Sequence, residues 1–78
     1  MTEMEKLRAL LPHWIEHNRE HASEVDRWAD IAATEGHSDA ARMIRQAVEN
    51  VRQANGLLDR ALEDLGGAVP LETHGHGH

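Results

Sequence analysis

The chain has 78 residues and a net charge of −6, with seven histidines and no cysteine, phenylalanine or tyrosine. That length allows one domain with a small core. The lack of cysteine excludes a disulfide framework, a thiolate nucleophile and a cysteine-ligated zinc site, and the acidic balance argues against a nucleic-acid partner, which needs a basic face.

Thr2-Glu3-Met4-Glu5 fits a capping box opening a first helix over about residues 3–34. Pro12 lacks a backbone donor and crowds the turn before it. It predicts either a kink or a short helix ending near Leu11. Gly36 suits a left-handed C-terminal cap. Ser38 reads as the N-cap of a second helix over about residues 39–65, with Asp39 at the positive end of the dipole. Gly66-Gly67 and Pro70 end it, and residues 66–78 read as a flexible His/Gly tail. Nothing alternates with period two, so no strand is expected. No apolar run approaches ~18 residues, so no membrane partner is expected. The N-terminus lacks the basic start and cleavage site of a signal peptide, which makes the cytoplasm the expected compartment.

In the second helix Ala41, Ile44, Val48, Val51, Asn55, Leu58, Leu62 and Leu65 step by three and four, a heptad seam. A second row, Ala40, Ala47, Ala54 and Ala61, recurs every seven residues. One helix thus offers two neighbouring faces and implies two partners. The expected fold is all-α: an antiparallel helical hairpin, residues 1–65, that dimerises through a coiled-coil or four-helix arrangement. Pairing about His37 sets residue i level with residue 74 − i, so His13 lies near Ala61, His17 near Leu57 and His21 near Gln53. Oligomerisation is the usual remedy for so small a core, and a homodimer is expected. Asn55, a lone amide in the seam, is expected to meet its own copy across a parallel two-fold pairing. Trp14 and Trp28 read as core anchors.

Residues 13–24 read HWIE-HNRE-HASE, three tandem repeats of His-x-x-Glu. His13, His17 and His21 fall within an ~80° sector of one helix face. Neighbours in this series are ~6 Å apart along the axis, close enough to clasp one metal ion between two imidazoles. The outer two are ~12 Å apart, too far to converge on a straight helix. A shared site across a dimer is the expected solution, with Glu20 and Glu24 as accessory groups that orient a ring or add an oxygen ligand. His74, His76 and His78 in the tail are weak, flexible ligands. This donor set suits Ni(II), Zn(II), Cu(II) or Co(II). Nothing forms a nucleophile or a distinct acid/base pair, so no enzyme is expected.

The stretch His13-Trp14-x-x-His17-x-x-x-His21 resembles the HW-x2-H-x3-H motif of the CooJ-type histidine-rich nickel chaperones. Those proteins assist nickel insertion into carbon monoxide dehydrogenase, and combine this motif with coiled-coil dimerisation and a His-rich C-terminal region. The resemblance implies that His13, His17 and His21 are nickel ligands and that a nickel enzyme is the client. The short tail departs from the pattern. The competing reading is a metal-free helical interaction or adaptor module, for which the seam and the alanine row suffice.

Overall fold

The computed structural model describes residues 1–70. Two helices, α1 (Glu3–Thr34) and α2 (Ser38–Leu65), form an antiparallel hairpin, and no strand occurs among the described residues. The capping box is complete: Thr2 Oγ1 accepts from the Glu5 N–H at 3.1 Å, and the Thr2 N–H donates to the Glu5 carboxylate at 2.9 Å. That backbone donor, foremost, holds the Glu5 carboxyl below its ordinary value. The cap therefore contributes above the ordinary glutamate pKa, and its contribution is lost as pH falls through the lowered one.

α1 passes through Pro12 without a break, so no separate helix ends at Leu11. The missing N–H costs the Arg8 carbonyl its usual partner. Replacing Pro12 with alanine restores that donor and is expected to raise stability by about 1–3 kcal/mol. A higher urea midpoint at unchanged slope would register it, and a lower midpoint would contradict it.

The connecting turn is tight. Gly36 has φ +91°, a conformation that other residues rarely adopt. The N-cap of α2 is His37, not Ser38, and no side chain caps this end. The His37 N–H donates back to the Ala32 carbonyl, and the His37 carbonyl accepts from the Ala41 N–H. His37 therefore already opens the hydrogen-bond ladder, and Ser38 lies inside it. Gly66, φ +114°, closes α2. Arg8 reaches across from α1 to cap that end, donating from Nε to the Gly67 carbonyl at 2.7 Å and from Nη2 to the Gly66 carbonyl at 2.9 Å.

The heptad seam of α2 faces α1. Leu11, Ile15, Val48 and Leu62 are the large buried side chains, with Ala9, Ala22, Ala29 and Ala41 between them. The alanines keep the side-chain layer thin and let the helices approach closely. Asn55 is a correction to expectation: it serves the hairpin itself. Its Nδ2 donates to the Ile15 carbonyl and its Oδ1 accepts from Asn18 Nδ2, both at 2.9 Å. Its amide is satisfied across the α1–α2 seam, so it does not point to a parallel two-fold axis. Trp14 and Trp28 are a second correction. They are 43% and 53% exposed, because they lie on the flank of α1 rather than on its seam.

Candidate metal centre

His13, His17 and His21 are all exposed on α1, with His21 at the edge of the groove between the helices. The helix spacing places them in a column. The His17 and His21 ring centroids are 4.6 Å apart, and those of His13 and His17 are 6.4 Å apart. The first separation is a near-formed two-point clasp, and the second needs a rotamer change to become one. Among the described residues no group of three or more His, Asp or Glu side chains is already placed around one point. The reason is the helix rise: a straight segment spreads its outer imidazoles ~12 Å along the axis.

Glu20 and Glu24 are exposed on the same helix. Among the described residues, neither makes a hydrogen bond to an imidazole. Glu16, in the first tetrad, pairs with Arg19 instead. His74, His76 and His78 lie outside the described residues. Beside the column, the hairpin supplies a rigid base: Asn18, bonded to Asn55, and the buried Ile15 and Ala22 lie on the face of the same turns that meets α2. The Arg8 cap went unread in the sequence, although pairing i with 74 − i already sets residue 8 level with residue 66. The signal was a cation on one helix level with the carbonyl end of the other.

Residues 7–65 match the family described as "Domain of unknown function (DUF8180)". The chain belongs to this family. The DUF8180 match contains the whole histidine column, all of α2 and α1 from Leu7 onward, and the tail histidines lie beyond it. An uncharacterized protein of Archaeoglobus fulgidus is 36% identical over 64 residues, covering 81% of this chain and 100% of that relative. No solved structure matches the chain.

Proposed function

We propose that this DUF8180 protein is a nickel-binding metallochaperone, a homodimer of the cytoplasm that holds Ni(II) on α1 for delivery to a nickel enzyme such as carbon monoxide dehydrogenase. The observation that carries the metal-binding part is the exposed His17–His21 pair, 4.6 Å between ring centroids, with His13 next in the column. Exposed imidazoles with no hydrogen-bonded partner among the described residues suit a carrier, which must accept and release its cargo. The donor chemistry fits Ni(II), Zn(II), Cu(II) or Co(II), and raw affinity would favour copper. Nickel, the chaperone role and the client rest on the resemblance to the CooJ-type motif. Water, a Glu20 or Glu24 carboxylate, a second chain or the tail imidazoles would complete the coordination sphere. The adaptor reading draws support from a different observation, the exposed indoles of Trp14 and Trp28.

Calorimetric titration with Ni(II) at pH 7.5 separates the two. The full chain and a chain lacking residues 73–78 are compared. The truncated chain is expected to keep the tightest site and lose only weak additional equivalents. Loss of all binding on truncation would assign the metal to the tail and leave α1 to the adaptor reading.

A further inference from the structure

The hairpin has two unlike broad sides. Between its helices on one side runs a shallow groove lined by His21, Val25, Ala47 and Val51. The groove on the opposite side is lined by Arg19, Ser23, Arg52 and Asp59. The apolar side carries two rows. On α1, Leu7, Trp14, His21 and Trp28 recur every seven residues, and both indoles are open to solvent. On α2, Ala40, Ala47, Ala54 and Ala61 recur every seven, all exposed. A seven-residue period keeps each row on one helix flank.

The hairpin's own bonds set the two rows in step. Arg8 meets Gly67, Asn18 meets Asn55, and Asp30 meets Arg45 at 2.6 Å. Along the hairpin axis, Trp14 is therefore level with Ala61, His21 with Ala54 and Trp28 with Ala47. A two-fold axis parallel to the helices preserves these levels. It lays α1 of one copy antiparallel over α2 of the other. Each large side chain of one copy then meets a small one of the other: Trp14 the partner's Ala61, His21 the partner's Ala54, Trp28 the partner's Ala47. A two-fold axis across the helices would stack the indole row against the same row and alanine against alanine, crowding one seam and emptying the other.

The size of the surface agrees. A face ~35 Å long and two helices, or ~20 Å, wide covers about 700 Å², near the ~800 Å² per partner of a standard interface. The Cα trace spans only 13 Å in its thinnest direction, a single layer where stable domains pack two. Four large buried side chains are also a small core for an isolated domain.

We propose that the apolar side is covered by a second copy of this chain, α1 against the partner's α2, with each indole seated over a partner alanine. The pairing rests on the homodimer reading above and shares His21 with the histidine column; a monomer that still binds Ni(II) would overturn the pairing and leave the metal site standing.

The test uses the full chain, which has no native cysteine. Sedimentation is expected to show a dimer. Ala47→Glu, on the apolar side, should weaken it at least about thirtyfold while circular dichroism stays helical. Arg52→Glu, on the opposite side, should leave it intact. Mixing a Trp28→Cys chain with an Ala47→Cys chain should give an oxidised cross-linked pair, while each chain oxidised alone should not. A monomeric wild type, a dimer broken only by Arg52→Glu, or cross-linking within each single variant would overturn the proposal. If Ala47→Glu unfolds the chain, the cross-linking pattern still decides it.

Discussion

Replacing His17 with alanine, in a chain lacking residues 73–78, is expected to weaken nickel binding at least about a hundredfold. His17 is the middle member of the column and belongs to both adjacent pairs. Its loss leaves His13 and His21, ~12 Å apart along the axis and unable to share one ion on a straight helix. His21→Ala should be milder, because His13 and His17 still form the wider pair, at 6.4 Å between ring centroids. His13→Ala should be mildest, since the closer pair survives intact. His13 and His17 are exposed and lie outside the rows of the proposed dimer face, so their alanine variants should keep thermal midpoints close to wild type. Imidazole must be neutral to bind a metal, so protons compete with nickel and wild-type affinity should also fall as pH is lowered. Calorimetry on the three variants gives the ranking. Undiminished binding in the His17→Ala chain would remove the α1 site. Equal, complete loss in all three would require ligands shared between chains.

Leu11→Ala is expected to cost about 2–4 kcal/mol, the largest stability effect of any single truncation considered. Leu11 is 3% exposed and is one of four large buried side chains among the described residues. The facing helix cannot collapse into the space, because its position is also set by the Asn55 and Arg8 bridges at either side. Leu57→Ala makes the informative comparison. Leu57 is 60% exposed, so the same change there should alter hairpin stability by no more than about 0.5 kcal/mol. Urea unfolding of both variants at one protein concentration measures the difference. Equal costs would mean that the buried seam lies elsewhere than Leu11.

Much of the architecture could be read from residue order. The capping box at Thr2 and Glu5, the left-handed Gly36, the stop at Gly66-Gly67, and the three–four apolar stepping of the second helix are all local signals. Local backbone geometry decides them. The pairing of i with 74 − i is legible too, because two helices joined by a tight turn have little freedom in register. The histidine column belongs to the same class, since four-residue spacing on a helix dictates a shared face whatever surrounds it.

Choices between equivalent surfaces needed the tertiary structure. The second helix offers a Leu/Val seam and an alanine row, and periodicity does not say which one meets the first helix. Burial does: the larger apolar area goes inward, and the alanines are left outside. The same choice turned Asn55 toward Asn18 and Ile15, where its amide is satisfied within one chain. It also left Trp14 and Trp28 on an open flank, because the seam is already filled by Leu11, Ile15 and Ala22. Pro12 stayed inside a continuous helix because one lost hydrogen bond is outweighed by the packing of the turns on either side. Sequence determined the elements, their order and the column of imidazoles. The tertiary structure decided which faces meet, because that depends on burying area across helices far apart in the chain.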